Sequence, residues 1–142
     1  MPSERMRLIL DTNVLVSALI QRSYPYYIVD RVLADSTLEL CISDKLFAEY
    51  LNVLNRDKFS RFPDFQAKAQ TILADVEATA TQFVPTATID VIRDEADNRL
   101  LELAEICQAD YLVTGNTNDF TMKEYKGTKI LSPKELFEIL NQ

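Results

Sequence analysis

Apolar and polar positions along this chain follow two rhythms. Short runs of β-branched and aliphatic residues recur at about Arg7–Leu10, Leu38–Ile42, Thr81–Val84, Tyr111–Thr114 and Thr128–Leu131, and each reads as a strand. Between them apolar residues return every three or four positions, the period of a helix buried on one side. The helix after the second strand is the clearest. Ser43 stands where it can cap, and Leu46, Phe47, Tyr50, Leu51 and Leu54 form one apolar stripe. Pro63 stands near the start of a long helix that turns Phe65, Ala69, Ile72, Leu73 and Val76 inward. Asp94 or Asp97 opens the helix carrying Leu100, Leu101, Ala104 and Cys107. Ser132-Pro133-Lys134-Glu135 is a capping box with proline at the first helical position, and it leads into Leu136, Phe137 and Leu140. Alternating strands and helices imply an α/β fold, a parallel sheet with helices on both faces. With no repeat, linker or low-complexity stretch, residues 1–142 read as a single domain.

Composition narrows the chemistry. The chain has no histidine, which removes the Ser-His-Asp triad, the histidine general base and His-bound zinc together. Its two cysteines, Cys41 and Cys107, are too few for a thiolate zinc site or a disulfide framework, and read as core thiols in a reducing cytoplasm. Carboxylates, hydroxyls, lysine and arginine remain, a set that favours hard cations, chiefly Mg²⁺ or Mn²⁺. The net charge of −7 argues against general coating of nucleic acid, but it leaves open an enzyme whose acids are neutralised by bound metal. It also suits a basic partner segment. No apolar run is long enough to span a membrane, and Met1-Pro2-Ser3-Glu4-Arg5 lacks a signal-peptide pattern. Neither glycine lies in a nucleotide-binding loop motif.

The acids then come forward. Asp11 follows the apolar run Leu8-Ile9-Leu10, at a strand end where α/β sheets build their ligand sites. As it also precedes a helix, cap and ligand are both open to it. Asn13 reaches the same end. Glu49 lies on the flank of the apolar stripe, solvated or turned into a cleft. Asp94, Glu95 and Asp97 crowd one helix start, where capping and the helix dipole favour acids. That is more charge than a cap needs, and a cation would relieve the repulsion. Thr114-Gly115-Asn116-Thr117-Asn118-Asp119 follows the strand Tyr111-Leu112-Val113, and is either a turn or a set of oxygen donors at a strand end.

Taken in order, Leu10-Asp11-Thr12-Asn13-Val14-Leu15-Val16-Ser17-Ala18, Ser43 through Glu49, Asp94-Glu95-Ala96-Asp97-Asn98 and Ala109-Asp110-Tyr111-Leu112-Val113-Thr114-Gly115-Asn116 resemble the PIN domain, the nuclease fold of VapC-like toxins in toxin–antitoxin pairs. The resemblance implies a three-layer α/β/α sandwich with a parallel sheet of about five strands in the order 3-2-1-4-5. It implies Asp11, Glu49 and Asp97 as catalytic metal ligands for Mg²⁺ or Mn²⁺, with Asn116 completing the site where many members carry Asp. Asn13, Asp94, Thr114 and Asp119 would support these ligands from outside. The implied activity is hydrolysis of RNA phosphodiesters by metal-activated water. An antitoxin protein and a second copy of the chain are the implied partners.

RNA needs basic contacts, for which Arg56, Lys58 and Arg61 are candidates. They are interleaved with aromatics in Asn55-Arg56-Asp57-Lys58-Phe59-Ser60-Arg61-Phe62, which reads equally as a hinge with core phenylalanines. Two rivals remain. A haloacid-dehalogenase-like phosphatase also places Asp after its first strand, but wants a second Asp where Asn13 stands. A PIN domain weakened by Asn116 would bind RNA or protein without cutting.

Overall fold

The computed structural model describes residues 5–142; the stretch Met1–Glu4, read above for a signal pattern, lies outside the described residues. Six strands of the described residues form one sheet: β1 (Met6–Leu10), β2 (Leu38–Ile42), β3 (Thr81–Gln82), β4 (Tyr111–Val113), β5 (Glu124–Tyr125) and β6 (Thr128–Leu131). Their order is β3-β2-β1-β4-β6-β5. All neighbours run parallel except β5, which pairs antiparallel with β6. The five parallel strands follow the expected 3-2-1-4-5 order.

The sixth strand is an addition to the five expected. Lys126 (φ 48°) and Gly127 (φ 90°) form the two-residue turn between Tyr125 and Thr128, and positive φ at both positions matches the right-handed twist of a hairpin. A two-residue strand is too short to leave a pattern. The third strand is shorter than expected. Phe83 still donates its amide to the Ile42 carbonyl, at 2.8 Å, but Pro85 brings no N–H to extend the ladder.

Among the described residues six helices complete a three-layer α/β/α sandwich: α1 (Thr12–Ile20), α2 (Tyr24–Ala34), α3 (Asp44–Leu54), α4 (Phe65–Thr79), α5 (Glu95–Cys107) and α6 (Pro133–Leu140). None is long and apolar enough to cross a membrane. Helix α2 packs on α1 and α6, whereas α5 packs on β1, β2 and α3. The local signals explain the boundaries. Ser43 accepts the Leu46 amide at 3.2 Å, and Ser132 and Glu135 form the expected capping box.

The core lies where the central strands are covered on both faces. Leu8, Ile9 and Leu10 are all 0 % exposed, each burial contributing roughly 1.5–3 kcal/mol. Glu39 is in register with Arg7 on the neighbouring strand and pairs with it at 3.4 Å, so the charge buried in β2 has a partner. In the predicted helix stripes Leu46, Tyr50 and Leu54 are buried, but Leu51 is 40 % exposed. It stands one position past Tyr50, and a step of about 100° carries it off the buried face. Cys41 and Cys107 are buried, unbridged thiols.

Candidate active site

The carboxyl ends of β1 and β4 lie side by side. Leu10 is in register with Val113, and the Asp11 amide donates to the Val113 carbonyl at 2.9 Å. Thr114, 0 % exposed, therefore stands beside Asp11 and donates its hydroxyl to Asp11 Oδ2 at 2.8 Å. Asn13 closes this corner. Its Nδ2 donates to the same oxygen at 3.2 Å, and its Oδ1 accepts the Gly115 amide at 3.0 Å. A Cβ on Gly115 would stand 3.3 Å from Asn13 Oδ1, so a larger residue there would press on the bridge. The Asn116 amide donates to Thr114 Oγ1 at 3.1 Å.

Asp11 occupies the N-cap position of α1, yet its side chain makes no cap hydrogen bond. Of the two roles open to it, the carboxylate is turned toward β4. Burial raises its carboxyl above the ordinary carboxylate range; the Thr114 hydroxyl opposes that shift and the charge of Glu49 adds to it.

Helix α3 brings Glu49 to the same corner. The Thr12 hydroxyl donates to Glu49 Oε2, and the fully buried Tyr50 donates its phenol to the Leu10 carbonyl. Leu10 and Thr12, on either side of Asp11, are thus tied to the consecutive residues Tyr50 and Glu49. Burial, with the charges of Asp11 and Glu49, keeps the phenol protonated well above its ordinary range.

The acids opening α5 divide their roles. Exposed Asp94 is the cap and accepts the Ala96 and Asp97 amides at 2.8 and 3.3 Å. Glu95 is exposed, and Asp97 is turned inward at 8 % exposure. Burial pushes the Asp97 carboxyl up to about 7, with the charges of Asp11, Asp94, Asp119 and Glu49 acting in the same direction. Acids from β1, α3, α5 and the loop after β4 therefore share one electrostatic neighbourhood.

Among the described residues no three acidic or cysteine side chains stand close enough to form a ready-made metal cage. Mg²⁺ does not require one, because it keeps several waters and binds through one or two carboxylates together with substrate phosphate oxygens. Carboxylate and amide oxygens are also the hard donors such ions take. The donor set Asp11, Glu49 and Asp97 fits a divalent cation on both grounds.

Asn116 and Asp119 are exposed on the short 3₁₀ turn after β4, and Asn116 makes no side-chain cap bond to it. The basic residues Arg56, Lys58 and Arg61 are exposed on the α3–α4 hinge. Lys58 lies over the Phe59 ring at 5.2 Å and Arg61 over Phe62 at 4.9 Å. Phe59 is buried and stacks on Phe65 with ring centroids 4.8 Å apart, so the hinge is rooted in the core. A groove of about 560 Å³ lies elsewhere, between α1, α2 and α4, and is lined in part by Leu19, Tyr26, Val29, Leu33 and Ile72.

Sequence reasoning missed Thr12, Tyr50 and Asn98. Asn98 is 1 % exposed; its Oδ1 accepts the Val91 and Ile92 amides at 3.1 and 2.9 Å, and its Nδ2 donates to the Ile92 carbonyl at 2.6 Å. Tyr50 carried one signal: a phenol within an apolar stripe must find a partner.

Several comparisons bear on this arrangement. A model of the PIN domain matches residues 7–118, which include every proposed metal ligand. No match was found among curated proteins. The fold is similar to PAE2754 from Pyrobaculum aerophilum, with TM-score 0.61 and 17 % identity over 97 % of this chain and 91 % of that one. It is also similar to VapBC2 from Rickettsia felis, solved bound to a DNA fragment from its promoter, with TM-score 0.57 and 17 % identity over 89 % of this chain and 98 % of that one. The chain belongs to the PIN domain family.

Proposed function

We propose that this chain is a Mg²⁺- or Mn²⁺-dependent endoribonuclease, the toxin component of a type II toxin–antitoxin pair, acting as one domain over residues 1–142. PIN domains are generally nucleases and typically use divalent metal ions, which supports the class of reaction. The observation that supports the reading is that Asp11, Glu49 and Asp97, from three different elements, act on one another's charge at one corner of the sheet, with Asp97 buried there. Acids packed in this way repel one another and repel a phosphodiester, unless a cation stands between them.

Asp11, Glu49 and Asp97 would hold the ion, and Asn116 would offer a neutral amide oxygen beside them. A bound divalent ion supplies the activation of water and the positive charge that phosphodiester hydrolysis needs. The chain's own groups do the positioning. Thr114 and Asn13 fix one oxygen of Asp11, and Thr12 orients Glu49. Asp94 caps α5 and so sets the turn on which Asp97 stands. Products would carry a 5′-phosphate and a 3′-hydroxyl. Arg56, Lys58 and Arg61 would contact the RNA backbone outside the acids.

The toxin–antitoxin complex among the structural neighbours supports an antitoxin partner, and the net charge of −7 suits a basic segment from it. A homodimer and a cytoplasmic location belong to the same reading.

The deciding experiment is RNA cleavage by purified Asp11→Asn protein in Mn²⁺. The rate falls at least ~100-fold, the upper end of what disturbing a supporting group costs a metal site. Cleavage at the wild-type rate would sink the metal assignment. The neutral side chain of Asn116 favours one second reading, a PIN domain that binds without cutting. Calorimetry showing no Mn²⁺ binding by the wild type would select it.

A further inference from the structure

The ties between α3 and the β1–α1 corner form a crossed pair. Residues 10 and 12 flank Asp11; the first accepts the Tyr50 phenol through its carbonyl, and the second donates its hydroxyl to Glu49. At its N-terminal end helix α3 is held by the Ser43 cap and by the Gln82 amide, which donates to Asp44; along its length Leu46 and Leu54 add apolar packing, and Tyr50 and Glu49 make the directional bonds to the β1–α1 corner. Apolar contacts fix how far a helix stands from a sheet, but they are nearly indifferent to a small slide or rotation. A directional hydrogen bond from a fully buried side chain is not.

We propose that Tyr50 is a positioning residue whose phenol, bonded to the Leu10 carbonyl, locks the rotation of α3 and so fixes the Glu49 carboxylate relative to Asp11. Its consequence for metal binding rests on the nuclease reading above. The Thr12 hydroxyl alone cannot do this, because Glu49 has a long side chain that can follow it through several helix orientations. Tyr50 has a rigid ring, so its oxygen reports the helix position directly.

The test uses the full chain. Tyr50→Phe deletes one oxygen and keeps the ring. In metal-free protein, ¹⁵N spectra are expected to show the Asp11, Thr12, Asn13 and Gly115 amides shifted, with remote amides such as Lys129 and Leu136 unmoved. Mn²⁺ affinity measured by calorimetry is expected to fall about tenfold, as for other residues that orient metal ligands. RNA cleavage is expected to lose kcat with KM unchanged, and to recover partly at higher Mn²⁺; the metal-free spectra, with remote amides unmoved, separate this from a folding defect.

Site amides that stay in place, or a Mn²⁺ affinity equal to wild type, would overturn the proposal. Should wild-type protein bind no Mn²⁺, the nuclease reading fails by itself, and the metal-free spectra still decide the role of Tyr50. If Tyr50→Phe does not fold, hydrogen exchange of the Tyr50 hydroxyl in the metal-free wild type takes its place: the lock requires a phenolic proton protected from solvent exchange, and exchange as fast as that of the exposed tyrosines Tyr24 and Tyr27 would overturn it.

Discussion

Asp11 and Asp97 are the same residue type, the first half-buried and the second buried, and their surroundings differ in kind. Around Asp11 stand donors: the Thr114 hydroxyl and the Asn13 amide, both on one carboxylate oxygen. Around Asp97 stand mainly acids, and its carboxyl is pushed up to about 7. The first carboxylate is held by what it touches. The second is held in spite of what it faces, because its helix is anchored elsewhere. Asn98 grips the backbone of Val91 and Ile92, and Glu102 accepts the Ile89 amide at 2.8 Å while pairing with Arg99 at 2.6 Å. Arg99 in turn donates to the Ile89 carbonyl at 2.9 Å. Three side chains of α5 thus replace the ladder that residues 89–92 lack. A carboxylate can be kept among like charges when the opposing force is spread over a neighbouring clamp.

The largest effect should come from breaking that clamp. Asn98→Ala leaves the Val91 and Ile92 amides without their acceptor, and stability to chemical denaturation is expected to fall by about 3 kcal/mol. A loss as small as that of an exposed substitution would mean the segment is held by packing instead.

The Asp97 side of the comparison is sharpened by pH. Its folded carboxyl titrates at about 7, above the ordinary value of 3.8. The unfolded chain therefore gives up this proton first, and the stability Asp97 contributes falls as pH rises from about 4 to 7. Thermal midpoints of metal-free protein should decline across that window, Mg²⁺ should restore them at pH 8, and Asp97→Asn should flatten the decline. Midpoints that rise with pH in wild type and variant alike would contradict the assignment.

A smaller effect is expected at the Asp11 corner. Thr114→Val removes the hydroxyl that joins Asp11 to the Asn116 amide, with an expected cost of about 1 kcal/mol in thermal unfolding. The Asp11 carboxyl should also titrate higher, since Thr114 opposes its upward shift; an unchanged Asp11 titration by NMR would show that the bond matters little. The smallest effect lies outside both regions. Reversing Arg56 and Lys58 to Glu should lower the salt slope of RNA affinity by about 1 for each phosphate that is no longer neutralised. An unchanged slope would return the hinge to a structural role alone.

Much of the fold can be read from the chain. The five parallel strands, the caps at Ser43 and Ser132 and the inward faces of α3 and α4 are local, because propensity and apolar period act over a few residues. Asp11 falls at a strand end for the same reason. What local pattern could not assign was the role of each acid. Asp94 and Asp97 sit three apart on one helix start, yet one is an exposed cap and the other faces the acids of three other segments. Sequence determined that histidine takes no part and that acids would stand at strand and helix ends. Only the tertiary structure decided that Thr12 and Tyr50 tie this corner together, and by which bond Thr114, already expected to support Asp11, does so. Hydrogen bonds between residues about 40 to 100 positions apart depend on how the sheet brings its strand ends together, and no local rhythm records that.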